Sequence, residues 1–213
     1  MKIKVCGLKY PDNINAVANL VPDYVGFICY DRSPRFVGDI AADTLKSLPA
    51  SIYKTGVFVN ESRQEINRLA ANLGFNAIQL HGDEDPDFAN SFRNKVQVIK
   101  AFGVNPDFDF NQLNDYANKV DYFLFDTKTA EYGGSGKAFD WSVLNKYNLN
   151  VPFFLSGGLS LDNLAQLAKI THPQFYGVDL NSRFEIAPGN KDLEKLKQAF
   201  SLIKQYTTHE IRS

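Results

Sequence analysis

Short runs of β-branched and aromatic residues recur at even intervals along the chain, each too brief for a helix and bounded by polar or glycine-bearing stretches. They predict strands over 3–6, 24–28, 53–59, 77–80, 96–102, 122–126, 152–156 and 176–180. The segments between them change period. Over 61–73, Ile66, Leu69, Ala70 and Leu73 fall three and four apart, an amphipathic helical stripe. The stretch 161–170 repeats the pattern with Leu161, Leu164, Ala165 and Ala168. The stretch 192–205 does so with Leu193, Leu196, Phe200 and Ile203. Helix-start signals agree: Pro86 suits a first helical turn, Asp140 precedes Trp141, and Ser160 precedes Leu161.

Strand and helix alternate eight times, which predicts parallel strands joined by crossover helices. The fold class is therefore α/β, a (β/α)8 TIM barrel of eight parallel strands, with 1–213 as a single domain. An open doubly wound sheet is the rival. It usually carries a glycine-rich turn after its first strand, whereas this chain has Cys6-Gly7-Leu8-Lys9 and no G-x-G-x-x-G there. No linker or low-complexity tract divides the chain.

Composition narrows the setting. The 213 residues are 44% apolar and 22% charged, ordinary for a globular protein. A net charge of -1 gives no electrostatic case for nucleic acid or an anionic membrane. No apolar run approaches the roughly 20 residues that span a bilayer. The basic N-terminus is no signal peptide, because its apolar stretch stops at Cys6. Two cysteines, Cys6 and Cys29, make a poor disulfide framework, so a reducing cytoplasm is expected. The chain is expected to be a monomer.

In a barrel the chemistry sits at the C-terminal ends of the strands. Those ends here read Cys6, a 29–35 loop, Asn60, Gln79-Leu80-His81-Gly82, Ala101-Phe102-Gly103, Asp126, Ser156-Gly157-Gly158 and Asp179-Leu180-Asn181-Ser182, an unusually polar set. Gly157 and Gly158 follow the seventh strand, and Asn181 and Ser182 follow the eighth. Loops at those two places commonly bind phosphate, with backbone N–H groups and a helix dipole behind them. Each alone also reads as an ordinary turn.

Cys6 has two readings, a packed core thiol or a catalytic group at the last position before a turn. Strand alternation puts Lys4 on the same barrel-facing side. Its ammonium would favour a thiolate, or would pair with Asp179 on the neighbouring eighth strand. Both uses stay open. Asp126 ends the sixth strand, too early to cap a helix starting near Asp140. The glycine-rich stretch 131–136 reads as a flap over a ligand or as a plain surface loop. Arg35 suits a carboxylate through its two-pronged fork, or is a solvated charge. Gln79 and His81 stand where a ligand would meet a strand end. His81 and His172 form no metal spacing with any Asp or Cys, so no metal is expected. His172 reads as a loop residue and Cys29 as packing, with air oxidation of Cys6 and Cys29 an artefact risk.

Together these residues resemble the phosphoribosylanthranilate isomerases of tryptophan biosynthesis. The resemblance rests on Lys4-Val5-Cys6-Gly7-Leu8, Ser33-Pro34-Arg35, Gln79-Leu80-His81-Gly82, Phe125-Asp126, Gly133-Gly134-Ser135-Gly136, Ser156-Gly157-Gly158-Leu159, and Pro188-Gly189 with Lys191-Asp192. Any one is weak, but seven in order are specific. The resemblance implies a cofactor-independent Amadori rearrangement of a small phosphoribosyl substrate. Asp126 would be general acid, Cys6 general base, and Arg35 the holder of the anthranilate carboxylate. One departure stands out. Where the family commonly reads Ser-Ser-Gly-Val-Glu, this chain has Asn181-Ser182-Arg183-Phe184-Glu185, which replaces a glycine whose bareness lets backbone donors reach phosphate. Either Arg183 turns outward, or it adds a charge contact, or the loop takes another course. Other phosphosugar barrels, among them metal-type epimerases and indoleglycerol-phosphate synthase, are the enzymatic alternative. A non-catalytic phosphoribosyl-binding barrel is the alternative outside catalysis.

Overall fold

A computed structural model describes residues 1–38, 40–127 and 140–209, with side chains through 206. Eight strands close into one parallel barrel in sequence order. They are β1 (Lys2–Val5), β2 (Tyr24–Ile28), β3 (Tyr53–Phe58), β4 (Ala77–Leu80), β5 (Gln97–Val104), β6 (Tyr122–Thr127), β7 (Phe153–Leu155) and β8 (Phe175–Leu180). Closure is made by β1 against β8, in a register that sets Lys4 opposite Asp179 and Val5 opposite Leu180. Every strand falls on its expected run, with ends shifted by a residue or two. The glycine-rich stretch 131–136 lies outside the described residues.

Alternation along each strand sorts side chains to two sides of the wall. Phe123 and Phe125 join the large cluster beneath the helices, while Leu124 between them points inward to a small cluster with Tyr24, Ile99, Ala101 and Phe154. Tyr176 joins that inner group through an irregularity. Phe153 pairs with Phe175 but Phe154 pairs with Gly177, so Tyr176 is the extra residue of a bulge.

The α-helical connections are α1 (Pro11–Ala18), α2 (Ala42–Lys46), α3 (Arg63–Leu73), α4 (Pro86–Asn90) and α5 (Leu193–His209). In α3 the Ser62 side chain caps the Glu65 N–H and Gly74 closes the helix in a left-handed conformation at φ 69°. Pro86 occupies the first turn of α4, as its position implies.

Three connections are 3-10 rather than α: Phe110–Tyr116, Trp141–Lys146 and Leu164–Lys169. The last corrects the helix expected over 161–170. Its buried residues are Leu164 and Leu167, three apart, while Ala165 and Ala168 of the expected stripe are exposed. An i, i+3 pair without an i+4 partner suits three residues per turn. Ser160 is not its cap, because the helical turn begins only at Leu164. A hairpin absent from the sequence reading, β9 (Glu185–Ala187) with β10 (Asn190–Lys191), stands between β8 and α5.

Candidate active site

Cys6 continues β1 by one residue, its N–H donating to Leu180 O at 2.9 Å. It is 3% exposed. The neighbouring position on β2 is Gly26, where a Cβ would stand 2.7 Å from the Cys6 Sγ, so the glycine makes the space for the thiol. Lys4, one turn of the pleat below, is fully buried, and its Nζ donates to Asp179 Oδ2 at 2.9 Å. The two uses foreseen for Lys4 therefore coexist. Burial pushes the Cys6 thiol up from its ordinary value, and the Lys4 and Lys191 ammonium groups pull back against it. Burial also works to discharge Lys4, but Asp179 and Cys6 outweigh it and hold Lys4 protonated.

Asp126 lies on β6 with its Oδ1 accepting from the Thr127 N–H at 2.8 Å. Burial, helped by the Asp179 charge, pushes its carboxyl up to about 6, against the pull of the Thr127 N–H and Lys4. The Asp126 Oδ2 is 3.7 Å from His81 Nε2. This is no ion pair at neutral pH, because burial and the Lys100 and Lys4 charges drive His81 down to about 4. Gln79 Nε2 stands 2.7 Å from His81 Nδ1 and fixes the ring. Sequence reasoning missed what holds this loop. Lys100, buried on β5, donates to the carbonyls of Leu80, Gly82 and Ala101 and to Glu84 Oε2. Glu84 in turn accepts from the Gly82 and Asn60 N–H groups. The only signal was a charge inside the apolar run Val98-Ile99-Lys100-Ala101.

The two loops expected to bind an anion meet. Gly157, Gly158, Asn181 and Ser182 line one cleft with Arg35, Asp126, Ser156, Leu159 and Asp179. Gly157 and Gly158 take φ of 84° and 67°. A Cβ on Gly157 would fall 2.6 Å from Asp126 Oδ1, so only glycine lets this loop close on the end of β6. Asn163 pins the loop, accepting from Ser160 N–H and donating to Gly158 O. The helix dipole expected directly behind the glycines is absent, since 161–163 intervene before the helical turn at Leu164. After β8 the chain makes a short 3-10 turn, Ser182–Phe184, that buries Phe184 and leaves Arg183 exposed. Of the courses open to Arg183, the exposed side chain fits the outward turn.

Arg35 is not a solvated charge. Its Nε donates to both Glu185 carboxylate oxygens at 3.0 Å and its Nη2 to Oε2 at 2.7 Å. Glu185 also accepts from Lys191 Nζ at 2.7 Å and from Gly189 N–H at 3.1 Å. Burial opposes its charge, but Arg35 and Lys191 hold its carboxyl below the ordinary range. Neither Glu185 nor Lys191 was singled out in the sequence, although Lys191 lies in a stretch that carries the resemblance and Glu185 ends the loop that departs from it.

The remaining candidates stand apart. His172 bridges Tyr147 O and the Gln174 N–H in a loop. Cys29 contacts Phe27 O, and both cysteines are free thiols. Among the described residues no cluster of three or more His, Cys, Asp or Glu could hold a metal ion, and no helix is long and apolar enough to cross a membrane. A larger cleft between the loop after β2 and α3 includes neither Cys6 nor Asp126.

Comparison with known proteins bears on what the cleft does. A family model described as N-(5'phosphoribosyl)anthranilate (PRA) isomerase matches residues 3–201. An N-(5'-phosphoribosyl)anthranilate isomerase from Parabacteroides distasonis is 44% identical over 200 residues, covering 92% of this chain and 90% of its own. Among solved structures, a phosphoribosyl anthranilate isomerase from Thermus thermophilus superposes with a TM-score of 0.84 at 27% identity, over 96% of this chain and 99% of its own. Another, in complex with reduced 1-(o-carboxyphenylamino)-1-deoxyribulose 5-phosphate, gives 0.79 at 28% identity with the same coverage. A third, from Thermotoga maritima, is described as monomers generated from a dimeric isomerase and gives 0.78 at 29% identity, again over 96% and 99%.

Proposed function

The chain belongs to the N-(5'-phosphoribosyl)anthranilate isomerase family, and on that premise we propose that it converts N-(5-phosphoribosyl)anthranilate into 1-(2-carboxyphenylamino)-1-deoxyribulose 5-phosphate, with Asp126 as acid and Cys6 as base. The observation that supports this reading is that Asp126 lines one cleft with Arg35, Asp179 and the two loops after β7 and β8, while Cys6 ends β1 against β8, the strand that carries Asp179.

Asp126 donates its proton to the furanose ring oxygen. The C1–O bond breaks as the anilino nitrogen lone pair moves to C1, giving a protonated Schiff base. Cys6, as thiolate, then removes the C2 proton, and that electron pair moves toward nitrogen to give an enolamine. Tautomerisation, with loss of the C2 hydroxyl proton and protonation at C1, yields the ketone. The chemistry needs an acid that still carries a proton near neutrality, and the raised Asp126 carboxyl suits it. It also needs a populated thiolate, which Lys4 and Lys191 favour against the cost of burial. Arg35 takes the anthranilate carboxylate. Gly157, Gly158, Asn181 and Ser182 take the phosphate, with Gln79 and His81 beside Asp126 on the sugar.

The decisive measurement is turnover of phosphoribosylanthranilate, made in situ, by purified protein in excess chelator with no added cofactor. Product formation dependent on both Cys6 and Asp126 is the expected result; binding of product analogues without turnover overturns it. The two free thiols suit a reducing cytoplasm, which cell fractionation tests. The protein is proposed to act as a monomer, which light scattering checks against the dimeric relative.

A further inference from the structure

Lys191 is 1% exposed, sits in the hairpin after β8, and besides its charge effect on Cys6 has side-chain contacts that the chemistry above does not use. Its Nζ donates in two directions, to Glu185 Oε1 at 2.7 Å and to Asn181 Oδ1 at 2.8 Å. Its own backbone is held in place by Asn13, through Lys191 N–H to Oδ1 and Nδ2 to Lys191 O. Beyond Glu185 lies Arg35; beyond Asn181 lies the anion loop.

We propose that Lys191 is a positioning residue for both ends of the substrate, turning the Asn181 amide nitrogen toward the phosphate and holding Glu185 where it aims Arg35 at the carboxylate. The inference rests on the isomerase reading and deepens it. An ammonium has only donors, so Asn181 must present its carbonyl oxygen to Lys191, and the Nδ2 group is left on the opposite side for an anion. Glu185 engages the Nε and Nη2 of Arg35, so the guanidinium is fixed while Nη1 keeps no hydrogen-bond partner among the described residues. Arg35 and Glu185 alone would be a neutral pair with little pull on a carboxylate. Burial pulls the Lys191 pKa below its ordinary value, and Glu185 works against that pull to keep the ammonium in the group. The two arms converge at Gly7, where a Cβ would stand 2.8 Å from both Arg35 Cδ and Asn181 Oδ1.

The test titrates the two anion sites separately, with inorganic phosphate and with anthranilate, as inhibitors and by calorimetry. For Lys191→Met, each affinity should fall roughly tenfold, with KM rising by a similar factor, as expected for lost charge-assisted hydrogen bonds, and with kcat falling at neutral pH and recovering as pH rises, because the Cys6 thiolate loses a nearby charge. Asn181→Ser, at a partly exposed loop position, should weaken phosphate and leave anthranilate unchanged. Wild-type affinity for both anions in Lys191→Met, or unchanged phosphate binding in Asn181→Ser, overturns the proposal. Should Lys191→Met fail to fold, Asn181→Ser decides it. Failure of the wild type to turn over phosphoribosylanthranilate would instead strike the isomerase reading, since the phosphate titrations stand without turnover.

Discussion

The two mouths of the barrel are both polar, yet they are built on opposite principles. At the N-terminal end, the buried Tyr24, the half-buried Tyr122 and Tyr176 and the exposed Tyr53 fill the opening with rings, Tyr24 stacked on Tyr53 at 4.8 Å and Tyr122 tilted against Tyr176 at 4.7 Å. The hydroxyls of Tyr24, Tyr122 and Tyr176 meet one another, that of Tyr24 also meets Gln97, and burial pushes the Tyr24 and Tyr122 phenols up, so these two stay neutral. At the C-terminal end, Lys4, Asp179, Cys6, Asp126 and His81 crowd together, and their protonation is set by one another. A neutral hydroxyl loses little on burial once hydrogen-bonded, whereas a buried charge needs a partner and stays costly even then. The first end can therefore be tuned for packing. The second gives up stability to hold groups poised to exchange protons.

That contrast can be broken most sharply by paired substitutions. Cys6→Ser and Asp126→Asn should each lower kcat by about a thousandfold or more, with the fold retained in both and Asp126→Asn no less stable than wild type at neutral pH. Near-normal turnover in either variant removes its assigned role. At the other mouth, Tyr24→Ala should cost about 3–5 kcal/mol in urea unfolding and leave kcat of the folded fraction within about twofold. A parallel loss of turnover would show that the tyrosines reach the chemistry.

The charged mouth can then be neutralised. Lys4→Met alone strands a buried Asp179 and should destabilise the fold. The double variant Lys4→Met with Asp179→Leu should recover stability to wild type or gain about 1–4 kcal/mol while losing activity. A double variant less stable than either single one would mean that the pair is a net stabiliser.

The smallest effect is in pH dependence. Asp126 titrates at about 6 in the folded protein against about 3.9 unfolded. Between those values the native state keeps a proton the unfolded chain has lost, so Asp126 makes stability fall as pH rises. His81, at about 4 folded against about 6.5 unfolded, does the reverse, and stability is lost as pH drops from about 6.5 to 4. The two oppose each other from about pH 4 to 6. Asp126→Asn should expose the rising slope and His81→Gln the falling one, each of order 2 kcal/mol across the window. Unfolding curves at several pH values check this; identical slopes in all three proteins would show that neither group is desolvated.

Much of this was legible in the chain. Short β-branched and aromatic runs marked all eight strands, because a wall buried on both faces reads as brief, near-continuous apolar stretches. The helical stretches were less legible. The 161–170 stretch has helical spacing, but only Leu164 and Leu167 find the core, and which of several equivalent apolar residues is buried depends on the wall behind them. Cys6 and Asp126 were legible as candidates because strand ends can be counted. Lys100 and Glu84 were not, since their pairing crosses from β5 to the loop after β4 and only the parallel register brings them together.

The sequence by itself determined the order of elements, the ends at which polar residues gather, and so the groups available for chemistry. Tertiary structure alone decided their states. Lys4 meets Asp179 across 175 residues and Arg35 meets Glu185 across 150, contacts that exist only because β1 closes on β8. Local patterns depend on the chain's own periodicity and survive in a linear reading. The proton on a buried side chain depends on which distant charges the closed barrel sets beside it.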